Sequence, residues 1–160
     1  AWLEKLADAA ARLLNLHIGA GAQGVQLFDT WAGELDPEDY AAFGLPAVRR
    51  TLAQVSGAPR LFFARTGYLP QALEALPCEG LAVPWQVPIA EARARFPRMV
   101  LQGNLDPISL LAGKEIATAK ARRIVEAMKG HPHIFNLGHG LTPETDPEVL
   151  GAVIDAVKGA

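Results

Sequence analysis

Three polar side chains of the sequence follow short apolar runs, and each belongs to a type that can hold a substrate. Thr30 carries a hydroxyl, Asn104 an amide and His139 an imidazole. Ligands of α/β proteins sit at the carboxyl ends of parallel strands, where such groups act as hydrogen-bond donors or acceptors. We therefore expect a polar binding site at these positions. Hydrogen bonds from the side chain of Thr30 or of its neighbour Asp29 to local backbone amides would explain these residues equally well.

His139 is the most suggestive titratable group, because it stands between Gly138 and Gly140. Flanking glycines allow a ligand to approach closely, and an imidazole changes its charge near neutral pH. A lone histidine is more often structural than functional. The residues alone leave both roles open.

Other cations and metal ligands are weaker candidates. Arg65 follows the second predicted strand, where it either meets an anionic substrate or is solvated. His131 and His133 have no carboxylate or cysteine near them in sequence, and Cys78 is the single cysteine, so we expect no zinc site. Asp106 is best explained as a helix N-cap rather than as a substrate contact.

A formal match to the dinucleotide-binding pattern occurs at residues 19–24, with glycines at 19, 21 and 24. The pattern requires a strand before it and a helix after it. Here a predicted helix precedes it and a predicted strand follows. These glycines therefore indicate a turn between helix and strand, and we expect no dinucleotide cofactor.

Strands and helices alternate along the predicted chain. The predicted strands cover residues 24–29, 61–64, 80–83, 99–102 and 133–137. The predicted helices cover residues 1–18, 37–55, 68–76, 89–95, 107–129 with an interruption at Gly113, and 147–157. This alternation is typical of parallel βα units and predicts an α/β fold in a single domain, 1–160. The strands form either a small open sheet or five strands of an eight-stranded barrel whose first three strands are absent.

Composition restricts the classes of function. The chain has 160 residues, with 15 Lys+Arg against 17 Asp+Glu and a formal net charge of -2. This near-neutral charge provides no overall electrostatic attraction for a polyanion, so nucleic acid is not an expected partner. No apolar run reaches the ~18 residues of a membrane span, and the single cysteine favours a reducing compartment. The first residue is not Met, which suggests that the sequence begins inside a longer polypeptide.

Three segments together resemble the uroporphyrinogen decarboxylase family. They are Val-Gln-Leu-Phe-Asp-Thr-Trp-Ala-Gly at 25–33, Leu-Gln-Gly-Asn-Leu-Asp-Pro at 101–107 and His-Ile-Phe-Asn-Leu-Gly-His-Gly-Leu at 133–141. Their order and approximate spacing are those of the family, and the resemblance runs from about residue 19 to residue 157. The second and third segments are specific to it.

The resemblance implies a TIM-type (β/α)8 barrel, of which this chain holds the five C-terminal strands. It also implies cofactor-independent decarboxylation of the four acetate side chains of uroporphyrinogen, with neither metal nor organic cofactor. The family places a hydroxyl residue at Thr30 and a histidine at His139 against the tetrapyrrole, and we expect Phe28 and Asn104 beside them. Family members are commonly cytoplasmic homodimers.

Some features depart from the family pattern. The family's arginine-rich loop, an aspartate that faces the pyrrole N–H groups and an active-site tyrosine belong to the preceding half, so we expect these 160 residues alone to be inactive. Val83-Pro84-Trp85 replaces Leu-Asp-Trp, and Arg65 replaces a lysine. Two alternatives stay open: a related barrel methyltransferase that uses zinc and a corrinoid, and a half-barrel that binds a porphyrinogen without catalysis.

Overall fold

The computed structural model describes residues 2–159, which form two compact units, one up to Leu81 and the other from Ala82. Five strands follow one another in the sheet in chain order. Their bounds are Val25–Asp29 (β1), Arg60–Ala64 (β2), Gly80–Ala82 (β3), Val100–Gln102 (β4) and His133–Ile134 (β5). Helices alternate with them, so the predicted α/β class is confirmed. That the chain is a single domain stays a prediction.

The first helix, α1, covers Trp2–Gly19 and confirms the predicted opening helix. Its buried face consists of Ala7, Ala11 and Leu14, whose spacing of four and three residues places them on one side. Ala11 and Leu14 pack with Val25 and Val55 in a small core. Five other large apolar side chains of α1 are exposed: Trp2, Leu3, Leu6, Leu13 and Leu16. Two alanines and one leucine therefore make the helix contact, and the leucine pattern alone does not reveal this.

The predicted helix over residues 37–55 is a helix with an irregular middle. One turn, α2 at Pro37–Asp39, leads into a π-helical segment at Tyr40–Gly44 and then into α3 at Leu45–Ala53. The carboxylate of Asp36 accepts hydrogen bonds from the backbone N–H groups of Glu38 and Asp39, which caps the first turn. The prediction of one regular helix is wrong at the π-helical segment.

β1 and β2 pair in parallel, with Val25 opposite Arg60 and Asp29 opposite Ala64. Both strands therefore end at the same edge, and the turns after Asp29 and Ala64 are neighbours. After β2 the predicted helix over residues 68–76 is only a short 3₁₀ turn at Gln71–Ala75. Two prolines and two glycines lie within residues 67–80 and prevent a longer helix.

In the second unit, β4 pairs in parallel with β5, with Leu101 opposite His133. The predicted fifth strand is too long, because regular pairing ends at Ile134 and only an isolated bridge joins Leu105 to Leu137. Helix α4 covers Ile89–Arg95, α5 covers Lys114–Ala127 and α6 covers Pro147–Lys158. Helices α5 and α6 enclose a core of Leu105, Leu110, Ala117, Ala121 and Val153.

The segment after β4 begins with the predicted N-cap, since the Asp106 carboxylate accepts a hydrogen bond from the N–H of Ile108 at 3.0 Å. A 3₁₀ turn covers Pro107–Leu110, and α5 begins only after Gly113. The φ of Gly113 is 96°, a conformation that other residues rarely adopt, so the chain breaks there as predicted. None of the helices between residues 2 and 159 has the length and hydropathy of a membrane span.

Candidate functional site

The carboxyl end of β1 carries an acid that is tied to a buried tyrosine. The hydroxyl of Tyr40 donates a hydrogen bond to Oδ2 of Asp29 at 3.2 Å, and Tyr40 is 1% exposed. Burial raises the pKa of Asp29, and the hydrogen bond from Tyr40 opposes part of that rise. The pKa of Tyr40 is also raised, first by burial and then by the Asp29 charge, so its hydroxyl stays a donor at neutral pH.

Phe28 and Thr30 lie at this same end of β1. Phe28 is 63% exposed, and its ring meets that of Phe63 edge to face at 5.9 Å between centroids. Thr30 is half-buried, and its backbone carbonyl accepts a hydrogen bond from Nε of Arg65 at 3.1 Å. An exposed aromatic ring and a hydroxyl residue at a strand end are suited to a flat polar ligand.

The turn after β1 packs closely on the end of β2. The guanidinium of Arg65 lies over the Trp31 ring, with its carbon 5.5 Å from the ring centroid. The backbone N–H of Arg65 donates to the carbonyl of Asp29 at 3.2 Å. A Cβ at Gly33 would meet the carbonyl oxygen of Arg65 at 2.6 Å, so this close approach requires glycine. The two turns therefore form one packed surface.

Asn104 lies in the second unit and is 6% exposed. Its Nδ2 donates hydrogen bonds to the carbonyls of Pro84 at 3.0 Å and Val87 at 2.6 Å. Both amide protons are thus used to hold the turn after β3. The structure gives Asn104 a clear structural contact, and its predicted substrate contact stays a prediction.

His139 contacts the turn that Asn104 holds. Its ring and the Trp85 ring meet edge to face, 6.1 Å between centroids with an interplanar angle of 73°. Gly138 is buried, and a Cβ there would meet Cβ of Trp85 at 2.7 Å and its Cα at 2.8 Å. Asn104 and His139 therefore both lie against residues 84–87. That Thr30 and His139 share one rim stays a prediction.

The weaker sequence candidates have separate places. The Nε2 atom of His133 lies 2.7 Å from the carbonyl oxygen of Gly103, and burial lowers the pKa of His133. Burial raises the pKa of the Cys78 thiol to about 11. Between residues 2 and 159, no group of three or more His, Cys, Asp or Glu side chains is arranged to hold a metal ion.

Two contacts of candidate residues were not identified from sequence, one in each unit: Tyr40 as the partner of Asp29, and Trp85 as a contact of His139. Tyr40 is eleven residues from Asp29 and Trp85 is far from His139 along the chain, so no local pattern joins them. Pro84 and Trp85 were noted only as a departure from the family pattern. Their contacts give that segment a role in positioning Asn104 and His139.

Comparison with solved structures defines the class of protein. A methyltransferase from Methanosarcina mazei superposes with a TM-score of 0.84, over 96% of this chain and 47% of that chain. The two are 21% identical, so the likeness concerns the fold alone. The chain is accordingly an α/β protein with about half of a (β/α)8 barrel, as predicted.

Sequence comparison defines the family within that class. The family model for uroporphyrinogen decarboxylase (URO-D) matches residues 1–160. The uroporphyrinogen decarboxylase of Methylococcus capsulatus is 46% identical over 97% of this chain and 47% of its own length, and that of Streptomyces coelicolor is 44% identical over 97% and 45%. The chain belongs to the uroporphyrinogen decarboxylase family, which confirms the resemblance, and it spans about half the length of these curated relatives.

Proposed function

We propose that the chain forms part of the substrate cleft of a uroporphyrinogen decarboxylase. The observation that carries this proposal is the 46% identity to a uroporphyrinogen decarboxylase along almost the whole chain. The polar and aromatic groups at the end of β1 and beside His139 are consistent with a cleft for a polycarboxylate macrocycle. The expected product of the complete enzyme is coproporphyrinogen, formed without metal or organic cofactor.

The proposed reaction replaces each acetate by a methyl group. Protonation of a pyrrole carbon creates a cationic electron sink, the C–C bond to the carboxylate breaks, and CO₂ leaves while its electron pair neutralises the ring. A second proton then reaches the exocyclic carbon and gives the methyl group, and the first proton leaves the ring carbon, which restores the aromatic pyrrole. Placed charges and hydrogen bonds supply most of the catalysis in such a reaction. In this proposal Thr30 and His139 bind and orient the substrate.

We further propose that these 160 residues bind the tetrapyrrole but do not turn it over. This proposal rests on the resemblance, which implies that the family's arginine-rich loop, its pyrrole-facing aspartate and its active-site tyrosine belong to the preceding half. Binding of uroporphyrin III, the stable oxidised macrocycle, followed by its fluorescence, tests the first part. Anaerobic incubation with uroporphyrinogen III and chromatography of the products tests the second.

Single variants connect the binding to the proposed residues. Thr30→Val and His139→Leu remove one polar group each and should weaken uroporphyrin binding several-fold, since each hydrogen bond contributes about 1 kcal/mol. Thr118→Val, at a half-buried position like that of Thr30, and His131→Leu, at an exposed position, are the matched controls. Absence of binding by the unaltered chain would contradict the cleft, and formation of coproporphyrinogen by it would contradict the claim of inactivity.

The complete enzyme is, in this proposal, a cytoplasmic homodimer that does not bind nucleic acid. The net charge of -2 and the single cysteine are consistent with that setting. Light scattering during size-exclusion chromatography of the full-length protein measures the assembly directly. A monomeric complete enzyme would rule out the homodimer.

A further inference from the structure

Arg65 differs from two other arginines of its unit in what it contacts. Arg50 binds the carboxylate of Asp8 at 2.8 Å, and Arg60 binds that of Glu79 at 2.7 Å. The contacts of Arg65 are the carbonyl of Thr30 and the ring of Trp31. Within residues 2–159 no carboxylate lies at ion-pair distance from Arg65. Its positive charge is therefore uncompensated by a partner acid.

The contacts of Arg65 orient its guanidinium. Nε uses one N–H group on the Thr30 carbonyl, and the guanidinium lies over the Trp31 ring, so two contacts restrain it. The two terminal nitrogens keep four N–H donors in a planar fork, which matches the two oxygens of a carboxylate. Because the fork is already ordered, little side-chain entropy is lost when an anion binds.

The surroundings of Arg65 leave room for a ligand. Trp31 is 70% exposed, and Arg65 itself is only half-buried. Arg65 follows β2 directly, at the edge where Thr30 follows β1. An ordered cation with free donors, beside an exposed indole and at the carboxyl end of parallel strands, is what recognition of an anionic ligand requires.

We propose that Arg65, placed over the Trp31 ring and held by the carbonyl of Thr30, binds one carboxylate arm of the substrate. This inference rests on the proposed function, which supplies a polycarboxylate macrocycle as the ligand. It adds a specificity-determining residue, because the planar fork accepts both oxygens of one carboxylate where a lysine offers a point charge. Trp31 acts as a positioning residue.

The test compares uroporphyrin III binding by the 160-residue chain and its variants. Arg65→Gln should weaken binding at least about tenfold, because charge-assisted hydrogen bonds are lost. Trp31→Leu should give a smaller loss and keep the salt dependence of binding, since the cation remains. Arg60→Gln is the matched control, as it removes the cation at the start of β2, and circular dichroism checks folding of every variant.

A small ligand separates this inference from the proposed function. Benzene-1,3,5-tricarboxylate presents carboxylates without a macrocycle, and the Nε–Hε signal of Arg65 and the indole N–H signal of Trp31 report its binding by NMR. Both signals should shift in the unaltered chain, and the Trp31 shift should disappear in Arg65→Gln. Both of these NMR results are expected whether or not uroporphyrin binds.

Each combination of results is decisive. If uroporphyrin binds equally well to Arg65→Gln, or if Arg60→Gln loses as much affinity, the Arg65 site is wrong while the proposed function stands. If uroporphyrin does not bind but the tricarboxylate shifts the Arg65 and Trp31 signals, the site stands and the proposed function falls. If neither ligand binds, both are refuted.

Discussion

The side-chain amide of Asn104 lies 2.6 Å from the carbonyl oxygen of Val87, inside the second unit and almost out of contact with water. The same nitrogen reaches the carbonyl of Pro84 at 3.0 Å. One buried amide thus satisfies two carbonyls of the turn that carries Trp85. The edge of Trp85 in turn meets His139, so the position of this histidine depends on that turn.

Asn104→Ala should lower the free energy of unfolding by about 2–4 kcal/mol, because two buried carbonyls lose their donor. Urea unfolding followed by circular dichroism measures the change. Asn15→Ala is the control, since its amide also bonds a carbonyl, that of Gln54, but at an exposed site. There water replaces the amide, and the loss should be about 1 kcal/mol or less. Equal losses at the two positions would contradict the role given to Asn104.

Gly138→Ala should displace Trp85, because the new methyl group would lie 2.7 Å from its Cβ and 2.8 Å from its Cα. Overpacking of this kind costs about 1–3 kcal/mol. The NMR signal of the Trp85 indole should move, and the ring contact with His139 should weaken. Gly140→Ala is the matched control two residues away, where a Cβ meets nothing within 4 Å. A Trp85 signal that is unchanged in Gly138→Ala would refute the close contact.

Asp29→Asn should increase stability at neutral pH. Burial raises the pKa of Asp29 in the folded chain above that in the unfolded chain, so the folded state holds the proton more tightly. The resulting stabilisation is complete below the unfolded pKa of about 3.9 and is lost as the pH rises through the folded pKa. Asparagine carries no charge at any of these pH values. The stability of Asp29→Asn relative to the unaltered chain should therefore rise from about pH 3 to pH 7.

Tyr40→Phe provides the check on the prediction for Asp29. The hydrogen bond from Tyr40 favours the ionised carboxylate, and its removal should raise the pKa of Asp29 further. The stability of this variant should fall more steeply with rising pH than that of the unaltered chain. Thermal unfolding at a series of pH values measures both variants. A difference between Asp29→Asn and the unaltered chain that is constant with pH would show that the carboxyl is not perturbed.

Gly151→Ala should stabilise the chain by about 0.5–1 kcal/mol, because glycine in a helix interior costs more backbone entropy than alanine. Gly151 lies inside α6, and a Cβ there meets nothing within 4 Å. The reverse change at the next residue, Ala152→Gly, should destabilise by a similar amount. Melting temperatures of the two variants should move in opposite directions, and a shift of both in one direction would contradict the prediction.

Local signals in the sequence predicted most of the fold. The caps at Asp36 and Asp106 and the break at Gly113 depend on residues within three positions, so they are readable from the chain. The strand runs before Asp29 and Gln102 are equally local. Motifs of the family then identified Phe28, Thr30, Asn104 and His139 as candidate site residues, and their contacts with substrate stay predictions.

The features that the sequence did not predict depend on contacts between residues that are distant along the chain. The amide of Asn104 meets carbonyls 17 and 20 residues away, and Tyr40 meets Asp29 across eleven residues. Such pairs form only when strands and helices have packed, and no periodic pattern records them. The fifth strand was predicted too long because its apolar run continues to Leu137, although regular pairing stops at Ile134.

The π-helical segment at Tyr40–Gly44 fixes how its flanking turns face the core. Its widened turn closes with a hydrogen bond from the N–H of Leu45 to the carbonyl of Tyr40, five residues back. Tyr40 and Leu45 are thereby both buried, although an α-helix would place residues five apart about 140° from each other. Deletion of residue Phe43, which is exposed, should convert the segment to a regular α-helix and turn either Tyr40 or Leu45 outwards. Because the Tyr40 hydroxyl binds Asp29 at the end of β1, the number of residues in this π-helical turn is constrained as well as their identity.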